Sequence, residues 1–186
     1  MRADAQRNRE RLIEAAQAVF SEQGAGASLD EVAKRAGVGP GTLYRHFPTR
    51  EAVQEAVYRD AVERLCAAGG ALRDDTDARR ALVEWMRLLL DHMIARRGLA
   101  EALVSALGKE GEVFVDSHRA LHEVGGDLVD RARRAGVARP DIDQRDLLWM
   151  IHGIAQAGVG PDGAARAQRL LDIMVAGTLS PARDAD

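Results

Sequence analysis

A cluster of hydrogen-bond donors lies between residues 39 and 50 of this 186-residue chain. Tyr44 and His46 can donate to phosphate oxygens, and Arg45 is long enough to reach either a phosphate or the edge of a guanine. The residues that open the stretch have little bulk, which would allow the backbone to approach base edges closely. Arg50 adds a cation beside the free N–H groups that begin a helix, an arrangement that binds phosphate. These residue types at this spacing predict contacts with DNA.

Two short helices joined by a glycine turn are predicted to position these donors. Ser28 and Glu31 have the spacing of a capping box, so a helix is expected to begin there. Gly37 is suited to the left-handed conformation that closes a helix. Pro40 is suited to the start of the next helix, because proline has no N–H to lose at that position. This succession is typical of a helix-turn-helix.

The second helix of the pair, Pro40 to about His46, is expected to have a buried face and an exposed face. Leu43 and Phe47 are apolar and lie four positions apart, so they should face the core. Thr49 is suited to cap the helix that follows. The polar side chains of the second helix should point outward: Thr42, Tyr44, Arg45 and His46.

Three motifs in the first third of the chain are similar to those of TetR-type (TetR/AcrR) regulators. The likeness covers residues 7–58, and the spacing from Tyr44 to Phe47 and on to Arg50 is its most specific part. The motifs are Leu29-Asp30-Glu31-Val32-Ala33, Gly37-Val38-Gly39-Pro40-Gly41-Thr42-Leu43-Tyr44-Arg45-His46-Phe47 and Arg50-Glu51-Ala52-Val53. The remainder of the sequence carries no comparable motif.

The resemblance implies a three-helix DNA-binding head on a larger helical body. In such regulators the body dimerises and binds a small ligand, which releases the head from an inverted-repeat operator. The position of Arg45 varies within the family, so its target, base or phosphate, is left open. By the same resemblance the DNA contacts fall on eight residues: Ser28, Pro40, Gly41, Thr42, Tyr44, Arg45, His46 and Arg50.

The whole chain reads as helical, because Ala, Leu, Arg and Glu dominate and no stretch sustains the alternation of a strand. We expect an all-α fold. A helix-turn-helix domain is predicted over residues 1–50, and a helical effector-binding and dimerisation domain over residues 51–186. A long helix should join the two, and the first helix should run from about Arg7 to Glu22.

Glycines mark several of the expected helix ends. The fourth helix should run from about Arg50 to Ala68, because Gly69 and Gly70 follow. Gly98 is expected to interrupt the pattern before a shorter helix. A long helix is expected from Glu112 to Arg134, but the pair Gly125-Gly126 within it costs about 2 kcal/mol relative to alanine. The pair leaves open whether this stretch is one helix or two.

The last two predicted helices carry apolar residues at intervals of three and four, which suits a four-helix packing of two chains. A two-fold pair of helix-turn-helix units also reads two half-sites about 34 Å apart and gains selectivity. We therefore predict a homodimer, although both helices could instead complete the core of one chain. The expected interface residues are Leu147, Ile151, Leu170, Leu171 and Met174.

An effector cavity is predicted in the body, because the body is longer than dimerisation alone requires. Such a cavity would be mostly apolar and would favour a small hydrophobic effector. The alternative is that most of its candidates are plain core, with His152 needing a partner if it is buried. The candidates are Trp85, Met86, Leu89, Met93, Phe114, His118, His122, Trp149 and His152.

Two other functions stay open at this point. Asp116, His118 and His122 could hold a metal ion in a helical metal protein or enzyme, since histidines four apart share one helix face. No HExxH, GxSxG, P-loop or CxxC pattern accompanies them, so we predict no catalytic residues and no cofactor. The other possibility is a constitutive DNA binder whose body only dimerises.

The charge balance agrees with a basic head on an acidic body. The net charge is −3, while residues 1–50 hold eight basic and six acidic residues. A composition of 46% hydrophobic and 30% charged residues is globular and excludes a disordered or membrane-embedded protein. Cys66 has no second cysteine to pair with, and the charged N-terminus does not resemble a signal peptide. We therefore expect a cytoplasmic protein with no membrane partner.

Overall fold

The computed structural model describes residues 2–108 and 111–179, and within these ranges it is built from α-helices. The only β pairing described there is a single bridge between Ala138 and Leu179. No helix in the same ranges is long and apolar enough to cross a bilayer. The predicted all-α fold is confirmed. The helices are α1 (Arg2–Gln23), α2 (Leu29–Arg35), α3 (Pro40–His46), α4 (Arg50–Ala71), α5 (Ala78–Ala95), α6 (Arg97–Leu107), α7 (Glu112–Arg134), α8 (Gln144–Ala157) and α9 (Gly163–Thr178), with a 3₁₀ turn at Leu72–Asp74.

The chain divides into two compact units. The first unit comprises Met1–Val62 and Ala95–Ser117, and the second comprises Glu63–Ile94 and His118–Asp186. Both α4 and α7 therefore contribute residues to each unit. The predicted domain boundary at residue 50 separates the residues expected to contact DNA from the rest of the chain, whereas the two units are defined by packing. The boundary at residue 50 stays a prediction.

The core of the first unit extends beyond its N-terminal helices. Leu12 of α1 and Leu43 of α3 are fully buried in a cluster that also contains Leu103 of α6 and Phe114 of α7. The Phe114 ring meets Tyr58 of α4 edge-on, with ring centres 5.4 Å apart. The α2–α3 pair thus rests on a core that α6 and the start of α7 help to build.

In the second unit, α4 continues through Gly69 and Gly70 to Ala71, past its predicted end. A Cβ atom at residue 69 would overlap the fully buried ring of Trp85 and would lie 2.6 Å from Val124 Cγ1. A Cβ at residue 70 would meet open space. Gly69 is therefore required because α5 and α7 pack closely against α4, and it does not mark a helix end.

The stretch from Glu112 to Arg134 is one helix, α7, which answers the question that its glycine pair raised. Gly125 lies against Gln144 at the start of α8, where an added Cβ would overlap the glutamine carboxamide. Gly126 has open space beside it. The pair therefore marks close packing of α8 on α7 and not a helix boundary.

Two other helices begin earlier than predicted. α1 begins at Arg2 and not at about Arg7, and pairs such as Gln6 with Glu10, 2.7 Å apart, support its exposed first turns. α6 begins at Arg97, so Gly98 lies in its first turn and not before the helix.

Candidate nucleic-acid interface

Backbone hydrogen bonds fix the turn between α2 and α3. The Gly37 N–H donates to the Lys34 carbonyl and the Val38 N–H donates to the Ala33 carbonyl, both at 3.0 Å. Gly37 has a φ of 66°, the left-handed conformation that its position required. α3 then begins at Pro40, as the sequence predicted.

The start of α2 shows half of the predicted capping box. Ser28 Oγ accepts a hydrogen bond from the Asp30 N–H at 3.2 Å, so Ser28 is the cap. The Glu31 carboxylate does not complete the box, because it turns toward Lys34 Nζ, 3.8 Å away on the next turn of the helix. The Ser28 side chain is exposed at the N-terminus of α2.

α3 has the two faces that its sequence predicts. Leu43 is 1% exposed and Phe47 is buried, whereas Tyr44 is 48% exposed. All eight residues predicted to contact DNA reach the surface of the first unit. Ser28, Pro40, Gly41, Tyr44 and Arg45 are exposed, and Thr42, His46 and Arg50 are half-buried.

Arg45 folds back along its own helix. Its Nε donates to the Gly41 carbonyl at 3.1 Å, and its Nη2 donates to Thr42 Oγ1 at 3.2 Å. Both bonds are exposed, so exchanging them for bonds to another acceptor costs little free energy. Arg45 must release them before it can reach a base or a phosphate.

Arg50 points inward from the first turn of α4. Its Nη1 donates to the carbonyl oxygens of Ala27 at 2.6 Å and of Ala25 at 3.4 Å. Gln54, one turn later, is buried and donates to the same Ala25 carbonyl at 2.9 Å. The two side chains hold the loop between α1 and α2, so only the other N–H groups of Arg50 are available to a phosphate.

The start of α4 is capped by Thr49, as predicted. Thr49 Oγ1 accepts from the Ala52 N–H at 3.1 Å. The Glu51 carboxylate accepts from its own backbone N–H and from the Thr49 hydroxyl, and these bonds hold the pKa of Glu51 below its usual value. The Glu51 carboxylate is a negative charge beside Arg50, and it weakens any attraction of a phosphate to this helix end.

Sequence reasoning missed three side chains that support this region: Arg9, Arg11 and Gln54. Arg11 Nη2 donates to the Ala36 carbonyl at the end of α2. The Arg9 guanidinium lies 5.4 Å from the ring centre of Phe47, a cation–π distance. No sequence signal names their partners, since Arg9 and Arg11 are exposed residues of α1 and only Gln54 is buried.

Two family models match the chain in separate stretches. Residues 12–57, which contain α2 and α3, match the model described as bacterial regulatory proteins, tetR family. Residues 77–179 match the model of the C-terminal domain of SbtR-like transcriptional regulators. The chain belongs to the TetR family of transcriptional regulators. Proteins of this TetR family bind DNA through the helix-turn-helix, here α2 and α3, and they typically form dimers.

Individual TetR-family relatives show how far the likeness extends. The regulator SCO0520 from Streptomyces coelicolor is 40% identical, with a TM-score of 0.79, over 94% of this chain and 99% of that chain. A TetR regulatory protein from Mycobacterium vanbaalenii is 32% identical, with a TM-score of 0.75, over 96% and 99%. The regulator UidR from Escherichia coli K12 is 27% identical over 83% of each chain. The likeness therefore includes both units.

The residues predicted to line an effector cavity are scattered in this TetR-family chain. Phe114 lies in the core of the first unit and not in the second unit. His152 is not buried and so does not require a partner, because His152 and Trp149 stand on the outward face of α8, with ring centres 6.3 Å apart. The others lie in the second unit: Trp85, Met86 and Leu89 fully buried, Met93 and His122 half-buried, and His118 exposed.

Three of the predicted dimer residues face the core of their own chain. Leu147, Ile151 and Leu171 are almost completely buried within the second unit, so they have no surface to offer a partner and their prediction is wrong. The physical reason is that α8 and α9 turn these side chains toward the body. The outward faces of the same helices carry Trp149, 76% exposed, and Ile173, 69% exposed.

The alternative prediction of a metal site is also wrong for the residues that were proposed. The Asp116 carboxylate lies 3.4 Å from Arg59 Nη1, within the first unit. No group of three potential ligands is close enough to hold a metal ion in the described part of the chain. Desolvation of the ring and the charges of His122 and His152 lower the pKa of His118.

Proposed function

We propose that this regulator is a repressor that binds an inverted-repeat operator as a homodimer and leaves it when a small ligand binds. The exposed face of α3 carries the proposal, since Tyr44 and Arg45 stand opposite the buried Leu43. Two such helices related by a two-fold axis would enter successive major grooves about 34 Å apart. Because the operator belongs to the bacterial chromosome, the protein would act in the cytoplasm.

The DNA-facing residues divide by the contact that each would make. The start of α3, Pro40 to Thr42, approaches base edges because it has little bulk. Tyr44 and His46 donate to phosphate oxygens, as does the exposed hydroxyl of Ser28. These contacts position α3 in the groove.

The two arginines of this region have different proposed roles. Arg45 reaches a guanine edge or a phosphate after it releases Gly41 and Thr42. Arg50 chiefly supports the loop before α2, and it binds phosphate only through N–H groups that the loop does not use. Arg45 is therefore the stronger candidate for sequence readout.

Selection of bound fragments from random-sequence DNA by the purified full chain tests the proposal. The expected result is an inverted repeat whose half-site centres are about 10 base pairs apart, or a multiple of that spacing. Recovery of a single unrepeated half-site would contradict the homodimer. Fragments that share no sequence would contradict operator recognition altogether.

The proposed partner in the dimer is a second copy of this chain. α8 and α9 border a groove of about 510 Å³ whose lining includes Met150, Leu170 and Met174. Trp149 and Ile173 add exposed apolar surface to the same two helices. A large exposed apolar patch marks an interaction surface. Leu170 and Met174, two of the predicted interface residues, line this groove.

The proposed effector is small and mostly apolar, and it binds in the core of the second unit. The indole N–H of Trp85 is buried there without a hydrogen-bond partner among the described residues, and Met86 and Leu89 are fully buried on the same helix. Buried N–H groups are rarely left unbonded in folded proteins. A hydrophobic ligand with one acceptor would satisfy the indole.

Release of DNA requires that the effector bind one conformation of the dimer more tightly than the other. α4 is the proposed moving element, because it follows the α2–α3 pair directly in the chain and contributes residues to both units. A thermal-shift screen of hydrophobic compounds, followed by operator titration, tests this step. A compound that raises the unfolding temperature should also weaken operator binding, and Trp85→Phe should reduce both effects. If stabilising compounds leave operator affinity unchanged, the protein is a constitutive binder.

A further inference from the structure

A groove of about 520 Å³ lies on the second unit between α7 and the first turn of α8. This volume is within the usual range of small-molecule sites. The groove is formed largely by polar and charged side chains, and it does not include the buried Trp85 of the proposed effector site. It is therefore a separate candidate for ligand binding.

Gln144 is the unusual residue in this groove. Its side chain is 6% exposed, yet neither its amide nitrogen nor its amide oxygen has a hydrogen-bond partner in the described part of the chain. Gln54, which is buried to a similar extent in the first unit, donates to a carbonyl at 2.9 Å. Buried amides normally behave as Gln54 does. Gln144 thus has an unused donor and an unused acceptor side by side.

The unpaired amide of Gln144 is accompanied by a second feature that lowers stability, a glycine inside a helix. Gly125 in the interior of α7 leaves the space that the Gln144 carboxamide occupies, because a Cβ atom there would overlap it. Glycine is disfavoured inside a helix, and an apolar residue at position 144 would leave no polar group unpaired. The unpaired buried amide and the glycine inside α7 both lower stability. Two such features at one place are typical of a binding site.

The rim of the groove supplies charges of both signs. Arg145 is exposed, its charge acts on the neighbouring Asp143 carboxylate, and no hydrogen bond from its guanidinium is seen in the described part of the chain. The Asp143 carboxylate is already used, because it accepts from the N–H groups of Arg145 and Asp146 at 2.7 and 2.9 Å. Glu123 on α7 is an exposed acceptor in the same groove. A ligand with a carboxylate and an N–H donor would match this arrangement.

We propose that this groove binds a small carboxylic acid that also carries a lactam or a primary carboxamide. The ligand amide pairs with the Gln144 carboxamide through two hydrogen bonds, after a side-chain rotation turns that group from Gly125 toward the groove. The ligand carboxylate pairs with Arg145. This binding is independent of DNA and of the proposed dimer.

Calorimetric titration of the full chain without DNA tests the proposal. The probes are pyroglutamate and its six-membered homologue, 6-oxopiperidine-2-carboxylate. Cyclopentanecarboxylate and cyclohexanecarboxylate are the matched controls, because they keep the ring and the acid but lack the lactam. We expect saturable binding of at least one lactam acid, and binding of its control that is about tenfold weaker or more.

Two variants identify the residues that carry the binding. Gln144→Leu should weaken lactam binding about tenfold or more without lowering the unfolding temperature, since it removes an unpaired buried amide. Arg145→Ala, an exposed change, should weaken binding of the lactam acids and the control acids alike. Arg87 lies on α5, outside the groove, so Arg87→Ala should change neither the binding of the lactam acids nor that of the control acids.

Three results would overturn the proposal. The first is the absence of saturable binding for both lactam acids. The second is equal affinity for the lactam acids and their ring controls. The third is unchanged lactam binding in a folded Gln144→Leu or Arg145→Ala variant. None of these results bears on operator binding, which is measured separately.

Discussion

Inward-pointing arginines support the surface around α3. Arg11 donates to the last carbonyl of the α2 segment, and Arg50 and Gln54 hold the loop that leads into α2. Arg45 and Tyr44, in contrast, point outward and hold no other element in place. The side chains proposed to contact DNA are therefore different from those that support the fold around α3. Measuring both stability and DNA affinity for each variant separates the two roles.

Replacing Arg50 tests its supporting role. Arg50→Ala leaves the Ala27 carbonyl without its arginine donor, while the Ala25 carbonyl keeps Gln54, so we expect a loss of about 1 to 3 kcal/mol in the free energy of unfolding. Urea denaturation without DNA measures the effect. Arg45→Ala is the matched control and should change stability little. Equal stability of the two variants would show that Arg50 does not hold the loop.

Removing the Tyr44 hydroxyl tests the proposed phosphate contact. Tyr44→Phe keeps the ring but loses one hydrogen bond from each copy of the proposed dimer, about 2 kcal/mol together, so affinity should fall about thirtyfold. The loss should be similar for operator and unrelated DNA, because a phosphate contact carries no sequence information. The salt dependence should stay the same, because the hydroxyl is neutral. Fluorescence anisotropy at several salt concentrations measures both quantities, and a changed base preference would contradict the assignment.

Glycines in α4 and α7 show how the helices of the second unit are packed. Gly69 receives the ring of Trp85, and Gly125 receives the carboxamide of Gln144. Their neighbours Gly70 and Gly126 face open space. In each pair one glycine permits a close approach between helices and the other does not.

The pair in α4 provides a matched test of this packing. Gly69→Ala should lower the free energy of unfolding by about 1 to 3 kcal/mol, because the new methyl group meets the buried Trp85 ring. Gly70→Ala should raise it by about 1 kcal/mol, because alanine is the better helix former. Chemical denaturation of both variants decides the question. A stabilising Gly69→Ala would mean that α5 is not packed as described.

In the proposed dimer, the two copies of the chain meet through the outward faces of α8 and α9. Ile173→Asp places a charge in that interface twice, once from each copy, so the dimer should dissociate at about a hundredfold higher concentration. Analytical ultracentrifugation measures the shift. Val115→Asp is the control, since Val115 is also exposed but lies in the first unit. If both variants stay dimeric, the interface lies elsewhere.

The all-α fold and the α2–α3 unit could be predicted because their signals are local. Ser28, Gly37 and Pro40 each act on backbone groups within about one turn of themselves, so the sequence places them correctly without knowledge of other helices. The two faces of α3 follow from the spacing of Leu43 and Phe47 for the same reason.

The side-chain directions that differ from prediction at Leu147, Ile151 and Arg50 depend on partners distant in the sequence. Residues 147–151 are an unbroken apolar run, so no periodicity indicates that Leu147 faces the core while Trp149 faces outward. Likewise, nothing near Arg50 shows that its guanidinium turns toward carbonyl groups more than twenty residues earlier. Local chemistry specifies which backbone conformation forms, whereas the direction of a long side chain depends on which helices pack around it.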